Sequence, residues 1–497
     1  MADVHLKYIN ESFIKVVTDA GILMELADSL TYKADNYQFS PQYKARVWDG
    51  NISLLNRLTG VTRSGLAFRI KKFCDSRDYT ISFDDELKYD NVARQDVLNH
   101  IKSLNLPDWL DVRDYQVDAI LKCLQSRRRT LLSPTSSGKS LMIHLLHTWY
   151  NLKSLIIVPT TGLVQQFESD LRSYGFTGKI HTSVGGLSKD TEIDAEVVIT
   201  TWQSVCRGKS KLPNDARAWL QQFHVVFGDE AHSAKAALLT SIIENMSNTP
   251  YRFGTTGTLG KSPLMQATVE GLFGPVYQST TTRELIDDGY AADIKIKCLI
   301  LKYPESVRKE FNRGILVDKV NKKYRKRTYA EEVDFINEYK KRTSFVRNLA
   351  LSLKGNTLIF FRKKDHGKSI YESFDNKDKV FYIDGDVKDR EAIRQAMEVS
   401  EDAILIASSG TTSTGVSIKR LHHMISAAML KSEIKLLQSI GRMLRQHESK
   451  EQAYMYDIVD DLSWKSSKNY AMKHFEERAK IYDEQNFDYK MYFLDLE

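Results

Sequence analysis

The chain is poor in cysteine and proline, with four Cys and nine Pro in 497 residues. Cys74, Cys123, Cys206 and Cys298 are scattered, with no Cys-x-x-Cys pair. That excludes a disulfide framework or a thiolate zinc site and fits a reducing cytoplasm. No run of eighteen apolar residues occurs, so no membrane-spanning helix is expected. Met1-Ala-Asp-Val-His lacks a charged-then-apolar leader, and no secretory signal is expected. Low-complexity tracts are missing as well. What is present is an ordinary globular composition, 42% apolar and 27% charged, with a formal charge of +7 and a pI of about 8.8. This mildly basic balance permits a nucleic-acid partner without requiring one. The length suits roughly three domains.

Ser133-Pro-Thr-Ser-Ser-Gly-Lys-Ser140 fits a phosphate-binding loop, with Ser133 where the pattern's first Gly stands. The preceding Thr130-Leu-Leu reads as a strand end and the following Leu141-Met-Ile-His-Leu-Leu as a helix, the context this loop requires. After Pro134, the backbone N–H groups of Thr135, Ser136, Ser137, Gly138, Lys139 and Ser140 would wrap a triphosphate at a helix N-terminus. Lys139 would reach the outer phosphates, and the Ser140 hydroxyl would sit on a magnesium ion.

Phe223-His-Val-Val-Phe-Gly-Asp-Glu-Ala-His232 follows about ninety residues on. An apolar run ending in two carboxylates reads as a buried parallel strand, whose C-terminal end is where open α/β sheets bind ligands. Asp229 would hold the magnesium and Glu230 would take a proton from the attacking water. Gln438-Ser-Ile-Gly-Arg-Met-Leu-Arg445 places Gln438, Arg442 and Arg445 on one helical face. Two guanidiniums there suit transition-state charge on a γ-phosphate.

In this order, the three segments resemble the superfamily 2 helicases of the Asp-Glu-Ala-His type. Other segments between about residues 110 and 460 agree. Arg113-Asp-Tyr-Gln116 resembles the adenine-reading element, with Gln116 against the base. Ile156–Thr161 and Val197–Trp202 resemble the elements that touch the nucleic-acid backbone, through Thr160, Thr161, Thr201 and Trp202. Gly254-Thr-Thr-Gly-Thr258 stands where the family has Ser/Thr-Ala-Thr, and Gly257 is a departure. Arg362, at the end of Thr357-Leu-Ile-Phe-Phe-Arg, and Ser409, Gly410 and Thr411 resemble the DNA contacts of the second domain, with Gly415 on its nucleotide side. The resemblance implies two RecA-like α/β domains with ATP and Mg2+ in their cleft, and His232 and Gln438 linking the halves. Phe39-Ser-Pro-Gln-Tyr, Val47-Trp-Asp-Gly50 and Ile70-Lys-Lys-Phe-Cys74 narrow it to the UvsW-like recombination helicases of T-even bacteriophages. Such enzymes remodel forks, D-loops, R-loops and four-way junctions, so single-stranded and branched duplex DNA are the expected partners, with RNA in R-loops. A duplex translocase that separates no strands, or an RNA helicase, would share the motor segments. The oligomeric state is not legible.

The organisation expected is an N-terminal α+β accessory domain (1–92), a first motor domain with the ATP site (93–288), a basic connecting segment (289–344), and a second motor domain with a helical tail (345–497). In the accessory domain Tyr43, Lys44, Arg46, Trp48, Arg57, Arg63, Arg69, Lys71 and Lys72 interleave basic and aromatic residues. They form either a DNA-contacting face or a solvated surface over an aromatic core. The motor domains, each with its own sheet, are expected to fold without it. In the connecting segment Lys319, Lys322, Lys323, Arg325, Lys326 and Arg327 are either a solvated face or a grip on phosphates.

Overall fold

Short apolar runs ending in polar residues become parallel strands buried on both faces. Ser154–Val158, Val197–Thr201 and Val225–Asp229 are buried at every position. The computed structural model describes every residue except 1, 88, 187–192, 210, 233–236, 319–322, 388–389, 409–417, 419, 430–435, 438–439, 442, 444–451 and 497, and the side chains of 316–318, 323 and 390–391. The chain divides into two compact units, Met1–Thr280 and Thr281–Glu497. No helix among the described residues is long and apolar enough to cross a membrane. The four cysteines are free and buried.

The first unit opens with a four-stranded mixed sheet in the order Val61–Arg63, Phe13–Thr18, Val4–Tyr8, Ile81–Phe83. Its core joins Val4, Leu6, Ile14 and Val16 to Leu26, Ile70 and Cys74 of two helices, Ala20–Ser29 and Ala67–Ser76. A seven-stranded sheet follows, ordered Val276–Gln278, Arg128–Leu132, Tyr251–Thr256, Val225–Asp229, Ser154–Val158, Val197–Thr201, Ile180–Ser183. All its pairings are parallel. This is the RecA-like sheet the sequence implies, and its order puts the strands carrying the phosphate loop, Thr255 and Asp229 side by side.

The accessory domain is built into this unit. Arg252, 1% exposed, donates to the carbonyls of Thr249 (2.9 Å), Ile243 (3.0 Å) and Met246 and to Ser12 Oγ (2.9 Å) of the accessory domain. Arg128 pairs with Glu11. A Cβ on Gly65 would lie 2.1 Å from the Glu270 carbonyl oxygen, so only glycine allows this close approach. Removing residues 1–92, which the sequence reading expects the motor to tolerate, would take Glu11 from Arg128 and Ser12 from Arg252 and bare this interface to water. The same interface accounts for part of the proposed basic face. Arg63 binds Glu244 (2.7 Å) and Arg69 binds Glu270 (2.5 Å), while Arg57 and Lys71 pair locally with Asp28 and Asp75.

The second unit is another seven-stranded parallel sheet, in the order Val380–Ile383, Ile404–Ser408, Thr357–Phe361, His423–Ser426, Gln452–Asp461, Asp293–Lys302, Asp488–Asp495. Two sequence expectations change here. Residues 289–344 are more than a connector, because Asp293–Lys302 pairs on both sides within this sheet. The tail is helical only over Tyr470–Glu484 and ends in the edge strand Asp488–Asp495, whose Tyr, Met and Phe favour a pleated surface.

Candidate active site

The strand Arg128–Leu132 delivers the phosphate loop and the helix Lys139–Tyr150 leaves it. Between them Ser136 and Gly138 take left-handed φ values of 70° and 76°, a turn pattern that aims successive N–H groups at one point. Lys139 Nζ lies over the loop, 3.2 Å from Ser133 O and 3.4 Å from Pro134 O. Among the described residues, the hydroxyls of Ser136, Ser137 and Thr258 are buried without a hydrogen-bond partner. Unspent hydroxyls beside a ring of N–H groups fit an oxygen-rich anion such as a triphosphate.

Asp229 ends the neighbouring strand, and its Oδ1 accepts from Thr255 Oγ1 at 2.8 Å. Glu230 holds a left-handed φ of 52°, a strained conformation for a non-glycine residue and one that occurs at functional sites. Its Oε2 lies 3.1 Å from His232 Nδ1 and 3.4 Å from Thr256 Oγ1. Thr256 gives its proton to Thr258 O (2.8 Å), and its oxygen is 2.8 Å from His232 Nδ1. The hydrogen-bond pattern therefore assigns the imidazole proton to Nδ1. His232 thus ties Glu230 to Thr256, while Thr255 ties Asp229 to the same Gly254–Thr258 segment. Sequence reasoning singled out that segment but not the individual roles of Thr255 and Thr256.

Burial raises the pKa of Asp229, and the neighbouring Glu230 charge adds to the rise against Lys139. Burial also works to raise Glu230, but the His232 hydrogen bond, the Lys139 charge and Thr256 together bring it below the usual carboxylate range. The environment drives the two carboxyls apart and keeps Glu230 ionised, the state a proton acceptor needs.

Gln116 is 2% exposed, and its amide is engaged at both ends: Oε1 accepts from Arg113 N (3.0 Å) and Nε2 donates to Ser137 O (2.8 Å). The helix start places this side chain beneath the phosphate loop, which it grips. Tyr115, which sequence reasoning passed over, donates to Ser137 O (2.9 Å), and Arg113 donates to Ser136 O (3.3 Å). The Ser140 hydroxyl lies 2.8 Å from Tyr174 Oη.

The remaining candidates divide. Thr160 and Trp202 are half-buried and Thr161 is exposed, at helix starts beyond the adjacent strands Ser154–Val158 and Val197–Thr201. Thr201 is 3% exposed and caps its helix by accepting from Ser204 N (3.1 Å). Arg362 donates to Tyr329 Oη (3.2 Å) at an exposed position. Arg325 pairs with Glu331 (2.6 Å), and Arg327 lies over Phe311 and Phe335. Lys326 is exposed. Lys322, Ser409, Gly410, Thr411, Gly415, Gln438, Arg442 and Arg445 lie outside the described residues, as does the Lys323 side chain.

Comparison with known proteins identifies the family. Residues 3–84 match the family described as "DNA helicase UvsW, N-terminal", residues 110–261 match "Type III restriction enzyme, res subunit", and residues 340–447 match "Helicase conserved C-terminal domain". The chain is 34% identical to the "ATP-dependent DNA helicase uvsW" of Enterobacteria phage T4, over 99% of this chain and 100% of that one. It superposes on the crystal structure of T4 UvsW with a TM-score of 0.50 at 32% identity, covering 100% of both chains. A DNA-bound restriction-modification enzyme, LlaBIII, shares the fold alone, with a TM-score of 0.53 at 14% identity over 78% of this chain and 31% of that one. The chain belongs to the UvsW family of ATP-dependent DNA helicases.

Proposed function

We propose that the chain hydrolyses ATP to remodel branched DNA, working in the cytoplasm of a host cell. The observation that supports this most is the hydrogen-bonded join of Asp229, Glu230 and His232 to Thr255 and Thr256, one strand from the phosphate loop. In this reading the loop N–H groups and Lys139 hold the β- and γ-phosphates. Ser140 and Asp229 supply hard oxygen ligands to magnesium. No cluster of three or more His, Cys, Asp or Glu that could hold a metal alone occurs among the described residues, and magnesium at phosphate sites shares its shell with the nucleotide and water. When bound, the ion neutralises charge on the transferring phosphoryl group.

Glu230 accepts a proton from the water whose oxygen attacks the γ-phosphorus. The bond from that phosphorus to the β–γ bridging oxygen breaks, leaving ADP and inorganic phosphate. Arg442 and Arg445 stabilise charge on the transferring group. His232 and the Thr256 hydroxyl convey the state of Glu230 to Gly254–Thr258. Thr160, Thr161, Trp202, Arg362 and Lys326 contact DNA phosphates, giving grip without sequence preference. Tyr43, Lys44, Arg46 and Trp48, which line one open groove, are the accessory-domain residues proposed to meet duplex arms. ATP hydrolysis and strand displacement, measured on single strands, duplexes, forks and four-way junctions, test the reading. Forks and junctions are expected to be remodelled only with ATP, and hydrolysis indifferent to DNA would contradict the proposal.

A further inference from the structure

Ser140 is read as a magnesium ligand, and a hydroxyl that gives a lone pair to a cation becomes a stronger donor. Its proton then needs an acceptor. Asp229 Oδ1 already receives Thr255. The group beside Ser140 Oγ is the phenol of Tyr174, 2.8 Å away, far along the sequence and on a different helix. Tyr174 is well fixed. Its backbone N–H closes the helix Thr161–Ser173 on the carbonyls of Asp170 (3.0 Å) and Leu171 (3.2 Å). Its ring lies against His144, with centroids 5.8 Å apart, one turn along the helix from Ser140. Phe176 meets the same imidazole edge-on at 6.2 Å. The ring is held at its base and delivers one oxygen to the start of the phosphate-loop helix.

We propose that Tyr174 is a positioning residue for the magnesium site: its phenol oxygen accepts a hydrogen bond from the Ser140 O–H and leaves the Ser140 lone pairs facing the cation. This rests on Ser140 being the cation ligand. Groups that orient a ligand from behind commonly contribute about 10- to 100-fold to metal affinity. Tyr174→Phe removes the oxygen and keeps the ring.

The test is binding of fluorescent ADP to the full chain, titrated with Mg2+ and repeated in EDTA, for the unmodified chain, Tyr174→Phe, Ser140→Ala and the double variant. The expected result is a roughly tenfold higher Mg2+ midpoint for Tyr174→Phe with ADP affinity in EDTA unchanged. The double variant should match Ser140→Ala alone, because the phenol acts only through that hydroxyl. An unchanged or lower midpoint for Tyr174→Phe, while Ser140→Ala shifts it, overturns the positioning role. An equal loss of ADP affinity in EDTA overturns it as well, since the ring would then serve the fold. If Ser140→Ala leaves the midpoint in place, the reading of Ser140 as cation ligand fails instead.

Discussion

Substituting Glu11→Gln tests whether the accessory domain is part of the motor. Glu11 is the ionic partner of Arg128, with side-chain exposures of 22% and 12%, and Arg128 opens the strand that ends at the phosphate loop. Gln keeps the size and one acceptor but removes the charge. Taking one partner from a fully buried pair costs about 3–5 kcal/mol. The residual exposure screens the Glu11–Arg128 pair and brings the expectation down to about 2–3 kcal/mol. For a unit of this size that lowers the melting temperature by roughly 3–6 °C. Arg57→Gln is the control, because its pair with Asp28 is exposed and such pairs contribute little. Thermal unfolding followed by circular dichroism reads both variants. If Glu11→Gln melts with the unmodified chain, or no lower than Arg57→Gln, the interface is not integral and the reasoning fails.

Gly257→Ala should be tolerated: a Cβ there meets Ser133 O at 3.6 Å and Lys139 Nζ at 3.7 Å, ordinary contacts. Reduced freedom of the unfolded chain should then raise stability by about 0.4–1 kcal/mol, read by denaturant unfolding. Arg442→Ala and Arg445→Ala should each cut kcat more than they weaken ATP binding, and normal turnover in both would remove that helix from the site. Burial brings His144 and His147 down to about 4, so as pH falls the unfolded chain takes protons first. Their contribution is complete above about pH 6.5 and is lost toward pH 4, about 2 kcal/mol per histidine at pH 5. A melting temperature flat from pH 7 to 5 would contradict this.

Much of the site was legible because its residues stand at the ends of apolar runs. The buried strand Val225–Asp229 ends in carboxylates, and the loop before Lys139 carries its glycine where a left-handed turn is needed. Local pattern also gave the parallel rhythm of both sheets. Contacts made across the chain were not legible. Ser12 reaches Arg252, Tyr174 reaches Ser140, and the final strand finds Asp293–Lys302. None of these is marked by spacing, since each depends on how distant elements stack. Gln116 and Thr201 show a subtler limit. Each stands in the expected segment, yet burial turns its polar group inward to hold backbone.

Glu230→Gln tests the central claim most directly. It preserves size and hydrogen bonding and removes the proton acceptor beside His232. Loss of a general base lowers rate roughly a hundred- to ten-thousand-fold. DNA-stimulated ATP turnover should fall by that factor while fluorescent ATP still binds. Turnover near the unmodified rate, or nucleotide binding lost together with turnover, would contradict the account.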